Sequence, residues 1–340
     1  MKTIVLERPG VLSLQETHAP ATVGENEALV RVQRVGICGT DLHAFEGTQP
    51  FLAYPRVLGH ELAVEIVALG KTDFVTDLAV GDVAAVNPYL SCGTCIACRR
   101  GKPNACVRLQ VLGVHRDGGM CEYLVVPAHK LRRAPGLPLE AVALVEMFSI
   151  GAHAVRRANL QASDVVLVIG AGPIGLGAMQ FAHLRGAQVI ALDVNPLRLD
   201  FCRDVLGIPH TINALDQPQE MLKQLLGADL PTTVFDATGN ASSMNNAFQY
   251  VAHGGQLVYI GITKDDISFS DPYFHSHEIT LFASRNATDE DFALVIDVLT
   301  SGVIQIDRWI THRTTPERIV HEFSGWLDPK AGVLKAMLAF

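Results

Sequence analysis

Four cysteines lie close together in the stretch NPYLSCGTCIACRRGKPNAC, at residues 87–106. Cys92, Cys95, Cys98 and Cys106 have the spacing C-x2-C-x2-C-x7-C. Four thiolates at this spacing can complete a closed tetrahedral zinc site, which leaves no coordination position for another molecule. A disulfide pair and redox-active thiols are the alternatives, although disulfides are uncommon in a reducing compartment. The cluster therefore predicts a structural zinc site rather than a centre of catalysis.

A second group of metal-ligand residue types is divided between the segments GICGTDLH and GHE. It offers the thiol of Cys38, the imidazole of His60 and the carboxylate of Glu61. One sulfur, one nitrogen and one oxygen ligand suit a zinc ion that keeps a position open for water or substrate. Taken singly, Cys38 is more often a small buried apolar residue, and His60 a hydrogen-bonded core histidine. The prediction rests on their occurrence together.

A glycine-rich sequence follows the apolar segment VVLVIG and opens a helix-like segment. Its G-x-G-x-x-G positions include Gly170, Gly172, Pro173, Ile174 and Gly175. In such a sequence the first glycine permits a tight turn, the second lets the backbone approach a pyrophosphate, and the third allows close helix packing. Free N–H groups at the helix N-terminus then receive the phosphates. We predict a dinucleotide site, with a purely structural glycine turn as the alternative.

The residues beyond the glycines bear on which dinucleotide binds. Asp193 ends the next apolar segment, where its carboxylate can accept hydrogen bonds from the ribose of NAD and would repel the extra phosphate of NADP. Arg198 could pair with a phosphate, although a solvated helix residue is its commoner role. Thr238, in FDATG, could support the cofactor at a strand end or serve in a turn. NAD is the predicted cofactor.

The elements that must position these residues change in type near residue 150. Residues 1–150 contain short β segments separated by Gly, Pro and Asp turns, and residues 287–340 are expected to return to this part. In residues 151–286 apolar strands alternate with helices, which is typical of a parallel sheet. The predicted fold class is α/β: a mostly antiparallel β domain that carries a zinc lobe at 87–107, and a doubly wound parallel-sheet domain.

The overall composition excludes several classes of function. The chain has 340 residues, of which 49% are hydrophobic and 18% charged, and its formal charge is −8. This acidic balance argues against a zinc-ribbon module that binds nucleic acid. An uncharged run at 165–182 approaches membrane-spanning length, but it contains four glycines and a proline, so a transmembrane helix is disfavoured. We expect a cytoplasmic protein with a small-molecule partner and no membrane contact.

Taken together, these motifs resemble the zinc-dependent medium-chain dehydrogenase/reductase family over nearly the whole chain. They occur in that family's order as GICGTDLH, GHE, GDVAAVNP, the four-cysteine lobe, GAGPIG and FDATG. The resemblance implies a GroES-like catalytic domain interrupted in sequence by a Rossmann domain. It also implies a catalytic zinc on Cys38, His60 and Glu61 in addition to the structural zinc, and assembly as a homodimer or homotetramer.

Two further positions resemble the polyol branch of that family. Glu146, in LVEMFSIGAHA, matches a glutamate that sorbitol-dehydrogenase-like members place near the metal, and Arg285, in SRNAT, matches an arginine of the substrate site. The cysteine lobe and LGVHRDGGM are most similar to bacterial sugar-acid dehydrogenases. Candidate substrate residues are therefore His115, Arg116, Arg285 and Asn286, since an arginine can bind a sugar carboxylate bidentately. A surface role for Arg116 in its turn remains the alternative.

The predicted reaction transfers a hydride from a secondary hydroxyl of a sugar acid or polyol to NAD. We hypothesise that Thr40 and His43 relay the released hydroxyl proton outward. Within the same fold, a threonine-dehydrogenase-like enzyme or a simple alcohol dehydrogenase is the alternative. From another class, a non-catalytic sensor that binds zinc and NAD is possible, although a sensor would not need Thr40 together with the metal ligands.

Overall fold

A computed structural model describes residues 1–227 and 229–340. The chain forms two compact units, one made of residues 1–146 and 287–340 and the other of residues 147–286. The boundaries between the units fall after residues 146 and 286. The sequence predicted boundaries after residues 150 and 286.

The first part of the chain is rich in strands. These are β1 Lys2–Arg8, β2 Val11–Glu16, β3 Glu27–Ile37, β4 Glu61–Leu69, β5 Val83–Val86, β6 Tyr89–Leu90, β7 Gln110–Val111, β8 Tyr123–Pro127 and β9 Leu131–Arg133. The helices are α1 Gly39–Glu46, α2 Ile96–Arg99, α3 Leu139–Ala143 and α4 Val145–Ala158, of which α4 contains the boundary between the units.

The second unit alternates strands and helices as predicted. Its strands are β10 Val165–Ile169, β11 Gln188–Asp193, β12 His210–Asn213, β13 Thr233–Asp236, β14 Gln256–Tyr259 and β15 Thr280–Ala283. Its helices are α5 Pro173–Leu184, α6 Pro196–Asp204, α7 Pro218–Leu226, α8 Ala241–Asn246 and α9 Asp271–Ser276. The strands pair in parallel in the order β12-β11-β10-β13-β14-β15. This is the doubly wound order of dinucleotide-binding sheets, whose strand order reverses beside β10.

The last fifty residues return to the first unit. They contain α10 Asp289–Thr300, β16 His312–Thr314, α11 Pro316–Glu322 and β17 Ala336–Ala339. The main sheet of this unit has the order β16-β17-β3-β4-β5-β9, and β8 also pairs with β3. All of these pairings are antiparallel except that of β16 with β17. The predicted α/β fold class, with one antiparallel-rich sheet and one parallel sheet, is confirmed.

The burial of the strands follows from the type of sheet. In β10 and β13 nearly every residue is buried, because helices must cover both faces of a parallel sheet. In β3 buried and partly exposed residues alternate over most of the strand, so that one face packs on the core. Each buried valine, leucine or isoleucine contributes about 1.5–3 kcal/mol to folding. These two cores hold the strand ends at which the candidate site residues lie.

The structure shows how two ambiguous segments fold, RWITHR and the uncharged run at 165–182. The strand expected at RWITHR is only the short β16, which begins at His312. The uncharged run at 165–182 divides into β10, the glycine turn and α5, and no described helix is long and apolar enough to cross a membrane.

Candidate active site and cofactor loop

The four-cysteine lobe is a compact excursion from the first unit. Strands β6 and β7 pair and close its base, and α2 and a short 3-10 helix lie between them. The Cys95 Sγ lies 3.4 Å from the Cys98 Sγ and 3.8 Å from the Cys106 Sγ, and all four cysteines are free thiols. Sulfurs bound to one tetrahedral zinc at 2.3 Å would be about 3.8 Å apart, whereas a disulfide requires about 2.05 Å. The donor set fits zinc.

The positively charged side chain of Arg108 lies beside the sulfurs of this lobe. The backbone N–H groups of Arg108 and Cys92 each donate to the Cys106 Sγ at 3.3 Å. A hydrogen bond from the Arg108 side chain is the main cause that lowers the pKa of Cys92 to about 5. Arg108 therefore favours the thiolate form of Cys92, which is the form of cysteine that binds metal, whereas burial raises the pKa of Cys98 to about 11.

The second predicted group also comes together. Cys38 follows β3 and is the N-cap of α1, and His60 precedes Glu61, the first residue of β4. One potential ligand atom from each residue lies within 4.8 Å of the others. His60 and Glu61 are buried and Cys38 is half-buried, so the cluster has one partly open side. Antiparallel pairing of β3 with β4 brings these sequence-distant ligands to one sheet end.

Asp41 joins the two segments that carry these ligands, and the sequence analysis did not select it. Its Oδ2 accepts the Cys38 N–H at 2.9 Å, and its Oδ1 accepts the Gly59 N–H at 3.3 Å. The same Oδ1 lies 3.8 Å from the Nδ1 of His60. A carboxylate behind a metal-binding histidine is the usual arrangement that fixes the ring. In the sequence, only the position of Asp41 within GICGTDLH, three residues after Cys38, indicated this role.

The negative groups around the His60 imidazole favour a positive charge there. Its Nδ1 is buried and has no hydrogen-bond partner among the described residues. Burial alone would lower the pKa of His60, but the Asp41 carboxylate and a hydrogen bond with Cys38 raise it well above the ordinary value. The negative groups that favour a proton here would equally favour a metal ion. The residues therefore fit a zinc site.

The two glutamates of the site have different partners. Lys335 donates to both oxygens of Glu61, at 2.7 and 2.8 Å. Tyr89 donates its hydroxyl to the Oε1 of Glu146, and burial raises the pKa of Glu146 to about 7. Glu146 is close enough for its charge to raise the pKa of His60, although it is not one of the three clustered ligands. Lys335 and Tyr89 were not predicted from the sequence.

The glycine loop has the geometry of a phosphate-binding turn. Gly170 follows β10 with φ +94°, and Gly172 is the N-cap of α5. Pro173 begins the helix, and no side chain caps its first turn. A Cβ on Gly175 would overlap the carbonyl oxygen of Gly170, so this position must be glycine. Ile174 lies in the same first turn, whose N–H groups are available to an anion.

The residues predicted around the loop lie beside it. Asp193 ends β11, and its oxygens accept the backbone N–H groups of Ala171 at 2.5 Å and Asn195 at 2.7 Å. A guanidinium nitrogen of Arg198 lies 3.9 Å from where a Cβ of Gly172 would be. The methyl carbon of Thr238 lies 3.1 Å from the corresponding Cβ position of Gly170. The loop, Asp193, Arg198 and Thr238 thus form one group in the second unit.

Comparison with known proteins agrees with this arrangement. Residues 24–136 match the alcohol dehydrogenase GroES-like domain family, and residues 173–301 match the zinc-binding dehydrogenase family. The chain is 45% identical to L-galactonate-5-dehydrogenase of Escherichia coli strain K12 over 313 residues, which is 92% of this chain and 91% of that protein. The chain belongs to the zinc-dependent medium-chain dehydrogenase family.

Two solved structures of similar dehydrogenases cover the whole chain. One is a short chain alcohol dehydrogenase of Escherichia coli CFT073 in complex with NADH. It has 33% identity, a TM-score of 0.92, and coverage of 100% of this chain and 99% of that one. The other is galactitol-1-phosphate dehydrogenase of Escherichia coli, with 28% identity, a TM-score of 0.90 and 100% coverage of both chains. The GroES-like and Rossmann assignments are confirmed.

The remaining predicted residues of this dehydrogenase lie on helix or loop surfaces. Thr40 and His43 are three residues apart on α1, and His43 is exposed. The Nδ1 of His115 accepts the Val111 N–H at 3.2 Å, and its ring stacks on Phe51. The exposed Arg116 lies in the following turn.

Two more substrate candidates belong to the other unit. Arg285 and Asn286 follow β15, where Arg285 is exposed and Asn286 has a positive φ of 53°. The roles of the four substrate candidates remain predictions.

Proposed function

We propose that this dehydrogenase holds two zinc ions and transfers a hydride from a secondary hydroxyl of a sugar acid or polyol to NAD. The observation that carries the proposal is the cluster of Cys38, His60 and Glu61, whose ligand atoms lie within 4.8 Å of one another. When zinc is bound at these three residues, it supplies a Lewis acid that makes the substrate hydroxyl more acidic. The thiol lobe would hold the second zinc in a closed, structural site.

The preference for NAD is supported by the environment of Asp193. Both of its oxygens already accept a backbone N–H, yet each carboxylate oxygen retains a further lone pair for a ribose hydroxyl. Because the side chain is buried and tied to the glycine loop, it cannot swing away from a 2′-phosphate. Arg198, beside Gly172, offers a positive charge to the pyrophosphate. The Asp193 carboxylate favours NAD over NADP, whereas the charge of Arg198 would serve the pyrophosphate that both dinucleotides share.

Side chains of the protein can position the substrate and remove its hydroxyl proton. Tyr89 fixes the Glu146 carboxylate, which could accept a hydrogen bond from a second substrate hydroxyl. Thr40 and His43 lie on the helix that begins at Cys38, with His43 at the exposed end of that path. We propose that the Thr40 hydroxyl passes the proton towards His43, which releases it to water.

The proton route predicts a pH-dependent phenotype for His43→Ala. At low pH the proton needs the imidazole as an acceptor, whereas at high pH hydroxide can take it directly. The variant should therefore lose about 10²-fold or more in kcat at low pH and much less at high pH. The comparison requires pH profiles of kcat for the wild type and the variant. An equal loss at every pH would contradict the relay.

The substrate class is supported by the relatives and tested by turnover. A panel of aldonates, polyols, L-threonine and simple secondary alcohols should be assayed for NADH formation, each with NAD and with NADP. We expect the highest kcat/KM with an aldonate or polyol and NAD. Preference for L-threonine or a simple alcohol would favour the alternative dehydrogenases. Tight NADH binding without turnover of any substrate would indicate the sensor.

A further inference from the structure

Lys335 is a buried cation beside the candidate metal ligands. Its side chain is 2% exposed, and it immediately precedes β17. Its ammonium group donates to Glu61 Oε1 at 2.7 Å, to Glu61 Oε2 at 2.8 Å and to the carbonyl oxygen of Ile37 at 3.1 Å. A lysine has three N–H donors. All three are therefore used, and they tie Lys335 to the ligand Glu61 and to the residue before the ligand Cys38.

The backbone leaves room for this contact at one glycine. Gly36 pairs with Glu61 across β3 and β4, and a Cβ on Gly36 would overlap the Glu61 carboxylate. The Glu61 side chain therefore lies over the bare backbone of Gly36 to reach Lys335. A hydrogen-bonded strand on the other side of β3 completes the arrangement, since Ala336 of β17 pairs with Ile37. Three separate chain segments thus fix the direction of a single carboxylate.

Stability alone does not explain such a pair. Removing a lysine and a glutamate from water is expensive, and apolar residues of similar volume often stabilise a fold as well or better. Here Glu61 is fully buried and lies next to Cys38, His60 and Glu146, so the neighbourhood already contains several potential anions. A fixed positive charge at this position serves the cluster rather than the core.

We propose that Lys335 is a positioning residue of the metal centre, which holds the Glu61 carboxylate beside Cys38 and His60 and balances the negative charge of the cluster. The inference rests on the proposed function, since it requires that zinc bind at these residues. Partners of metal ligands typically account for 10–100-fold in metal affinity. The effect is therefore measurable without any substrate.

The test compares zinc binding by three variants of the 340-residue chain. Lys335→Met removes the charge, Lys335→Arg retains it, and Lys330→Met is the control because Lys330 is exposed. Zinc affinity is measured by competition with a chromophoric chelator, without NAD or substrate. We expect Lys335→Met to weaken one of two zinc sites by about 10–100-fold and leave the other unchanged, with partial recovery in Lys335→Arg. Affinities equal to those of Lys330→Met, together with a lower melting temperature, would make Lys335 a purely structural ion pair and overturn the proposal.

A fourth substitution, at Gly36, keeps the test decisive if Lys335→Met does not fold. Gly36→Ala displaces the same carboxylate without changing any charge, so it should weaken the same zinc site. Cobalt in place of zinc gives a further measure, because its visible absorption bands should shift in Gly36→Ala and Lys335→Arg when the Glu61 carboxylate moves. Wild-type zinc affinity and cobalt spectra in both variants would contradict the role of Lys335.

The same measurements distinguish failure of the proposed function from failure of the role of Lys335. A wild-type chain that binds two zinc ions but shows no dehydrogenase activity would reject the proposed reaction, while the Lys335 comparison would still stand. A wild-type chain that binds a single zinc ion at the thiol lobe would reject both. If the wild type binds two zinc ions and Lys335→Met binds them with unchanged affinity, only the role of Lys335 fails.

Discussion

The chemistry of each candidate ligand depends on a neighbour that is not itself a ligand. Asp41 accepts the N–H groups of Cys38 and Gly59, and Lys335 holds Glu61. A metal site needs its ligands in place before the ion arrives, because ordering them afterwards would cost binding free energy. The surrounding hydrogen bonds therefore contribute to zinc affinity in addition to the ligands.

Asp41→Asn tests this dependence at a single residue. The amide nitrogen cannot accept a hydrogen bond, so one of the two buried N–H groups loses its partner, at a cost of about 1–3 kcal/mol. The ring of His60 also loses a nearby negative charge. Zinc affinity at one site should fall about 10–100-fold. The measurement is chelator competition beside thermal unfolding, with the exposed Asp216→Asn as control. Equal zinc affinities in the two variants would show that Asp41 does not support the metal site.

Residue types explain which part of this site was predictable from the sequence. Cys38, His60 and Glu61 were predicted because a thiol, an imidazole and a carboxylate that occur together form the ligand set of a zinc site. Lys335 was not predicted, because it lies 274 positions from Glu61 and meets it only through the pairing of β17 with β3. Tyr89 was not predicted either, because it lies in the cysteine segment and no sequence spacing links a tyrosine there to Glu146. Such roles depend on tertiary contacts.

At the level of elements, the turn from β10 to α5 combines two separate demands on glycine. Gly175 faces the carbonyl oxygen of Gly170, so glycine is needed there for folding. Gly172 faces open space, since the nearest atom to a Cβ is 3.9 Å away on Arg198. Glycine at position 172 is therefore explained by ligand approach rather than by packing.

Gly172→Ala and Gly175→Ala should separate these demands. Gly172→Ala should leave the melting temperature nearly unchanged and weaken NADH binding by at least about tenfold, because the methyl group occupies the path of the pyrophosphate. Gly175→Ala should lower stability by about 1–3 kcal/mol through steric overlap, as well as impair binding. NADH affinity by fluorescence titration and thermal unfolding are the measurements. Wild-type NADH affinity in Gly172→Ala would contradict a pyrophosphate at this loop.

An ion pair between α3 and β16 gives a pH-dependent test of how elements are held together. Arg313 donates to both oxygens of Glu140, at 2.8 and 2.9 Å, and this hydrogen bonding lowers the pKa of Glu140. A lowered carboxyl pKa stabilises the fold above the unfolded-state pKa of about 4.3, and the contribution is lost as the pH falls through the folded-state value. Because Arg313 is more than half exposed, the contribution is below about 1 kcal/mol.

Glu140→Gln should therefore reduce the free energy of unfolding at pH 7 by less than about 1 kcal/mol, and the difference should disappear as the pH falls below about 4. Urea unfolding at several pH values measures this, with the exposed Glu25→Gln as control. A difference that is constant with pH would assign the effect to packing.

The elements themselves were more predictable than their ends and partners. The doubly wound sheet was predicted because its strands are continuous apolar runs between amphipathic segments, and helices must then cover both faces. The strand expected at RWITHR was too long, since Trp309 and Ile310 are buried for packing while only His312–Thr314 pairs with β17. Apolar composition does not distinguish these two uses.

At the scale of the whole molecule, the two candidate metal sites depend on different amounts of surrounding structure. Cys38, His60 and Glu61 lie at the ends of strands whose core is already complete without them. The thiol lobe lies outside that core, with a two-residue ribbon at its base and short helices between its cysteines. A segment with so little apolar burial needs a metal or another cross-link to remain ordered. Loss of metal should thus affect function at one site and structure at the other.

Cys38→Ala and Cys98→Ala should reveal this difference. Cys38→Ala should lose about one zinc equivalent and all detectable turnover, while its circular dichroism spectrum and melting temperature remain close to those of the wild type. Cys98→Ala should also lose about one equivalent but unfold several degrees lower, because the lobe has no core of its own to replace the metal–thiolate bonds. Zinc analysis, circular dichroism and thermal scans on both variants make the comparison, and Cys202→Ala controls for removal of a buried thiol elsewhere. If Cys98→Ala stays as stable as the wild type and merely loses activity while Cys38→Ala unfolds, the assignment of the catalytic and structural sites must be reversed.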